Sequence, residues 1–134
     1  MTTHKERIAQ LMGAEKYVIA CAHLIPLPGA TGYDREGGMK KIIKQALRDS
    51  KILLDNGVTS IMFVNEADIP FYERIPGEGL AAFTTVVTTV VNELNIKIPY
   101  GINSINEAGA GLCIANATGA SFLRGNFAGV LASN

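Results

Sequence analysis

The sequence predicts an α/β protein built on a parallel sheet. Three observations carry that prediction. Short apolar, β-branched runs alternate with longer segments whose apolar residues recur every three or four positions. The short runs read as strands buried on both faces, as parallel strands are. Glycines and prolines mark each change of period, so strand, loop and helix follow one another, and right-handed crossovers then set the helices outside one sheet.

Each element can be justified in order. Residues 1–15 hold a short helix around Ile8 to Met12. Tyr17 to Leu24 (YVIACAHL) forms the first strand, ended by Pro26 and Pro28. From Met39 to Asn56, the residues Ile43, Ala46, Leu47, Leu53 and Leu54 recur at helical spacing with lysines and acids between them, and Gly57 stops the helix. Thr59 to Asn65 (TSIMFVN) is the second strand. Leu80 to Leu94 is the next helix, with Leu80, Phe83, Val87, Val90, Val91 and Leu94 on a broad face. Its many β-branched residues lower its intrinsic propensity, so packing must hold it. Ile98 to Asn103 (IPYGIN) is the third strand, Asn106 to Thr118 a helix of small residues, and Ala120 to Ala128 (ASFLRGNFA) the fourth strand.

The result is one domain, residues 1–134, with the order β-α-β-α-β-α-β after the first helix. A weak internal echo supports repeated βα units. Asn56-Gly57-Val58-Thr59-Ser60 resembles Thr118-Gly119-Ala120-Ser121, each a glycine stop feeding an apolar strand. Such a series fits a TIM-type barrel or an open doubly wound sheet. A full (β/α)8 barrel needs about 200–250 residues, whereas the 134 residues here reach a fourth strand. The sheet is therefore either open or half a barrel.

Composition excludes several classes of function. The chain is 48% apolar and 18% charged, as an ordered globular domain is. Twelve basic residues balance twelve acidic ones, which removes the electrostatic basis for nucleic-acid binding. The uncharged run Gly79 to Asn92 is shorter than the roughly 20 residues of a membrane span. The N-terminus, with His4, Lys5, Glu6 and Arg7, lacks the apolar core of a signal peptide, so a cytoplasmic address is expected. Cys21 and Cys113 have no metal-binding spacing around them and are expected to be buried, inert thiols.

In a parallel α/β sheet ligands bind at the strand C-termini. The polar residues expected there are His23, Asn65, Glu66, Asp68, Asn103, Arg124 and Asn126. His23 is open to three readings: a general base, a metal ligand or a satisfied core histidine. Glu66 and Asp68, two apart, suit acid–base work, a shared divalent ion with His23, or a plain solvated loop. Arg124, inside an apolar strand, would be costly to bury alone and should meet a carboxylate such as Glu66 or an anionic ligand. The glycine-rich loop from Gly29 to Gly38 lacks the P-loop order and reads as a lid or long connection. The loop from Ala67 to Gly79 lies on the same side of the sheet. No HExxH, GxSxG or GxGxxG occurs, so no metal site is assigned, the cofactor is left open, and the reaction is not legible from motifs.

Five segments together carry a resemblance. They are His23-Leu24-Ile25-Pro26-Leu27-Pro28-Gly29, Asp55-Asn56-Gly57-Val58, Asn65-Glu66-Ala67-Asp68-Ile69-Pro70-Phe71-Tyr72, Ile98-Pro99-Tyr100-Gly101-Ile102-Asn103 and Ala117-Thr118-Gly119-Ala120. In order and spacing they resemble the BtpA family, which includes photosystem I biogenesis proteins and SgcQ-like proteins found with sugar-transport genes. The resemblance implies a TIM-type barrel of the ribulose-phosphate-binding kind, of which residues 1–134 would be the N-terminal half. Two departures matter. Asn65-Glu66 stands where the family more often has Glu then Asn, and Ile25 stands where it has a second proline. Phosphate-binding barrels hold phosphate after strands seven and eight, so no phosphate site carries over.

Three functions follow as expectations. The first is a metabolic barrel acting on a small sugar- or nucleoside-derived anion, with His23, Glu66 or Asp68 as acid–base groups and Asn65, Asn103, Arg124 and Asn126 holding the ligand. The second is a non-catalytic assembly factor for a membrane complex. The third is a truncated half-barrel without activity of its own. Each leaves two open sheet edges and an uncovered inner face, so a homo-oligomer is expected.

Overall fold

The computed structural model describes residues 2–105 and 107–125. Helix α1 (His4–Met12) begins at Thr3, whose hydroxyl accepts from the Glu6 N–H while the Glu6 carboxylate takes the Thr3 N–H in return, and it ends at Gly13 in the left-handed region. Its only buried residue is Met12. Then come β1 (Ile19–His23), α2 (Gly38–Asp55), β2 (Ser60–Val64), α3 (Gly77–Glu93), β3 (Tyr100–Asn103), α4 (Ala108–Thr118) and β4 (Phe122–Leu123). The expected alternation of strand and helix is all present. Gly57 (φ 74°) and Gly119 (φ 78°) occupy the left-handed conformation that turns each preceding helix into the next strand, which gives the sequence echo its physical meaning.

The four strands form one parallel sheet in the order β1-β2-β3-β4. The order contains no reversal, unlike the doubly wound arrangement. Helices α2, α3 and α4 pack side by side, α2 on β1 and α4 on β3 and β4. Between helices and sheet lies the core, in which Ala22, Ile61, Phe63, Tyr100 and Ile102 from the strands meet Ile42, Ala46, Phe83, Val86, Val87, Val90 and Ile114 from the helices. The rings of Phe63 and Tyr100 meet edge to face at 6.3 Å. α3 starts one turn before Leu80, because Gly79 is small enough to bury against Ile75 and the Pro28 carbonyl.

Strand side chains alternate between faces. The register therefore puts Ile19, Cys21, His23, Met62, Val64, Gly101 and Asn103 on the face turned away from the helices. Every residue of the two central strands is buried. β1 corrects the expectation of strands buried on both faces: Ile19, Cys21 and His23 are exposed, because no neighbour lies beyond this edge among the described residues. Cys21 is consequently a free, exposed thiol, as is Cys113 on the outer surface of α4, and the expectation of two buried cysteines fails for both. At the other edge β4 covers Phe122–Leu123 alone among the described residues, and residues 126–128 of the nine expected lie outside them. Phe122 lays its ring over Gly101, where a Cβ would come within 2.2 Å of it.

Candidate functional site

The loops after the first three strands are sewn together by two side chains. Asn65, directly after β2, is only 4% exposed. Its amide donates from Nδ2 to Asp68 Oδ2 at 3.0 Å, and its Oδ1 accepts the N–H of Ile105, after β3, at 2.9 Å. Asp68 Oδ1 accepts the N–H of Leu27, after β1, at 2.8 Å. The Asp68 N–H in turn donates to the Asn65 carbonyl at 3.2 Å, closing the tight turn that presents the side chain. A further stitch runs from the Ile75 N–H to Glu107 Oε2 at 2.5 Å, tying the second loop to the start of α4. Burial pushes the Asp68 carboxyl above the usual carboxylate range, while the hydrogen bonds from Leu27 and Asn65 pull it back.

His23 ends β1 as an exposed residue, which removes the core-histidine reading. Its carbonyl accepts from Gln45 Nε2 of α2 at 3.0 Å, so that amide caps part of the unpaired edge. Asn103 ends β3 on the same face, 8% exposed, and its register partner Val64 lies between it and His23. Glu66 is exposed beside the turn. His23, Glu66 and Asp68 do not gather: among the described residues no three His, Cys, Asp or Glu side chains come together closely enough to hold a metal ion.

Arg124 departs from expectation. β4 stops at Leu123, so Arg124 lies past the strand and is exposed, its N–H bonded to the Ile102 carbonyl at 2.9 Å. Among the described residues no carboxylate pairs with it. The desolvation that was to demand a partner does not arise. Asn126 lies outside the described residues.

The glycine-rich loop after β1 supplies its own anion. Asp34 Oδ1 accepts the N–H groups of Glu36 (3.1 Å) and Gly37 (3.0 Å), and its Oδ2 meets Lys41 Nζ at 2.8 Å. These bonds, that from Gly37 first, hold the Asp34 carboxyl below its ordinary range. The loop is thus a tied connection and not a phosphate cradle. The cleft over Asn65 and Asp68, walled by Phe71, Tyr72, Ile75 and Ile105, measures about 20 Å³, room for roughly one water. The cleft itself has no room for anything larger, and the face beside it carries His23 and Asn103. The sequence missed Leu27, Gln45, Ile105 and Glu107, all of which bond to residues distant in sequence, Leu27 and Ile105 through backbone N–H groups. The one local signal was the Asn65-Glu66-Ala67-Asp68 spacing of an Asx-type turn.

Known proteins place the chain. It is 35% identical over 127 residues to the sgc region protein SgcQ of Escherichia coli (strain K12), covering 95% of this chain and 47% of that one. It is 37% identical over 114 residues to an uncharacterised protein of Pyrococcus furiosus, covering 84% of this chain and 42% of that one. An uncharacterised protein of Archaeoglobus fulgidus is 34% identical over 113 residues, covering 84% and 44%. The chain thus spans about half the length of the relatives it matches. No solved structure matches it. The BtpA family model covers residues 14–134, and with the SgcQ match it establishes that the chain belongs to the BtpA family.

Proposed function

We propose that the chain is half of a TIM-type (β/α)8 barrel of the ribulose-phosphate-binding kind, and that it binds a small sugar- or nucleoside-derived anion at the strand C-terminal face. One observation carries this reading. Asn65 and Asp68 spend both side chains on fixing the loops after β1, β2 and β3 relative to one another, around a face that presents His23 and Asn103. Such preorganisation serves a ligand more than a scaffold. In this reading His23 and Glu66 are the acid–base groups and Asn103, Arg124 and Asn126 hold the ligand, while Asn65 and Asp68, candidates for those roles from the sequence, are committed to the loops. Arg124, exposed and paired with no carboxylate among the described residues, supplies the positive charge.

No helix among the described residues is long and apolar enough to cross a membrane. Two free, exposed thiols suit a reducing cytoplasmic setting. Both sheet edges, unpaired among the described residues, favour self-association. A second reading, an assembly factor for a membrane complex, is favoured by the loop after β2, which exposes Ile69, Phe71 and Tyr72.

The test is thermal unfolding against a panel of sugar phosphates, nucleoside monophosphates and sugar acids at millimolar concentration. A ligand at one hundred times its dissociation constant adds about 2.7 kcal/mol, an easily read rise in Tm. The expected result is a rise with at least one anion, lost in His23→Ala and Asn103→Ala. No rise across the panel removes the ligand reading and leaves the assembly factor or an inactive half-barrel.

A further inference from the structure

We infer that the loop after β2 presents Phe71 and Tyr72 as a stacking face for a planar ring, so that the ligand of the candidate site is a base-bearing anion of the nucleoside monophosphate class and not a bare sugar phosphate. The inference rests on the ligand reading above and names its chemical class. The loop is held at both ends. At one end Asp68 accepts the Leu27 N–H at 2.8 Å and the Asn65 amide at 3.0 Å. At the other the Ile75 N–H donates to Glu107 Oε2 at 2.5 Å, and Gly29 of the loop after β1 lies so close to Pro76 that a Cβ on it would come within 3.0 Å. Pro70 and Pro76 fix two further backbone angles. Residues 69–74 are thus a short tip on clamped ends.

The tip carries apolar surface that the fold leaves in water. Phe71 is 38% and Tyr72 49% exposed, although both wall the cleft over Asn65 and Asp68. That cleft measures about 20 Å³ and takes roughly one water, so most of the exposed ring surface lies outside it. Phe and Tyr each have two side-chain torsions, so holding them against a ligand costs little conformational entropy. Aromatic side chains take any base through its π-face, whereas a bare sugar phosphate offers no flat apolar face and needs a hydrogen-bonding group for its hydroxyls. Two rings match one planar ligand; a stable protein interface takes about 20–30 residues a side.

Charge divides the ligand in two. The exposed charges of the loop are Glu66, Glu73 and Arg74, two carboxylates against one guanidinium, so the tip does not attract an anion and takes the uncharged part. Positive charge stands on the neighbouring loop. Arg124 is exposed and in no ion pair among the described residues. The next residue, Gly125, packs on the start of α4, where a Cβ on it would come within 2.8 Å of the Ala108 Cβ. Glu107, directly before Ala108, is the residue that clamps the aromatic tip at Ile75. The start of α4 therefore supports both the foot of the tip and the backbone that presents Arg124. A nucleoside monophosphate would span them, its ring on the tip and its phosphate toward Arg124.

Isothermal titration calorimetry compares adenosine and uridine monophosphates with ribose phosphate, the same anion without its base, and with adenosine, the base and sugar without the anion. In the wild-type chain a monophosphate should bind about tenfold or more tighter than ribose phosphate, the scale of one stacked base. Phe71→Leu and Tyr72→Leu keep apolar bulk and remove the ring, and each should lose most of that difference. Tyr72→Phe should keep it, and none of the three should change the affinity for ribose phosphate. Both positions are exposed, so the core is untouched, and circular dichroism confirms that each variant folds. Equal affinity for the monophosphates and ribose phosphate, or leucine variants that bind a monophosphate as wild type does, overturns the inference and leaves the anion reading in place; a loop that docks onto another protein gives this result. Adenosine that binds as tightly as its monophosphate, with the same loss in the leucine variants, keeps the stacking face and removes the anion. If no probe binds, both readings fall.

Discussion

Asn65 and Asp68 are joined by a 3.0 Å hydrogen bond from amide to carboxylate, and each uses its remaining oxygen to hold a backbone N–H from a different loop. Neither partner is replaceable by its near relative. In Asn65→Asp the pair becomes two carboxylates in a half-buried turn, and the Asp68 oxygen loses its donor. The variant should lose about 1–3 kcal/mol in urea unfolding at neutral pH. Asp68→Ala should cost a similar amount and expose the Leu27 amide, seen as faster hydrogen exchange there. A stability change within the error of the measurement for both would show that the loops hold without the pair.

The two perturbed aspartates act on stability with opposite sign. Asp34 is held below its ordinary 3.8 in the fold by the Gly37 N–H and by Lys41, so its contribution is present above that value and is lost as pH falls through the depressed folded one. Asp68 is raised by burial, so its contribution is full below the unfolded value and is lost as pH rises through the folded one. Wild type should therefore exceed Asp34→Asn in stability at pH 7 and lose that advantage in acid. Urea midpoints from pH 2 to 7 check the sign: an advantage that grew in acid would be wrong for the geometry.

Gly101→Ala tests the cover over the inner face. The added methyl would sit 2.2 Å from the Phe122 ring, inside contact distance, so Phe122 must leave Gly101 or β4 must shift. Overpacking of this kind costs about 1–3 kcal/mol. Phe122→Ala in the same background should recover part of the loss, since the clash disappears with the ring. Chemical denaturation of the two single variants and the double one measures the coupling, and strict additivity would mean that the two residues do not meet.

How far the sequence could be read depended on what each residue needs from its neighbours. The helices α2 and α3 follow from local periodicity, since Ala46, Phe83, Val87 and Val90 all reach the core that their spacing predicts. β2 and β3 likewise are as buried as their apolar runs suggest. β1 has an equally apolar sequence, yet three of its five residues are exposed, because burial of an edge strand is a property of the strand beside it and not of its own residues. Arg124 was misplaced for a related reason: Phe122 and Leu123 bracket too short a strand to carry it inward. The roles of Asn65 and Asp68 were hidden because their partners Leu27 and Ile105 lie about 40 residues away in sequence and contribute backbone groups, which carry no compositional signal.

The two thiols turn this edge into a measurement. Cys113 lies on the outer surface of α4 and Cys21 on the open face of β1, both free and exposed in the single chain. A thiol reagent should modify Cys113 at one rate whatever the protein concentration. On the proposed self-association, Cys21 should react as fast at nanomolar concentration and slow at micromolar. Cys21→Ser and Cys113→Ser assign the phases. Ile19→Asp should make Cys21 fast throughout, because a charge beside it keeps a second copy off the β1 edge. Two rates that stay equal and independent of concentration would mean that β1 keeps its open edge in solution.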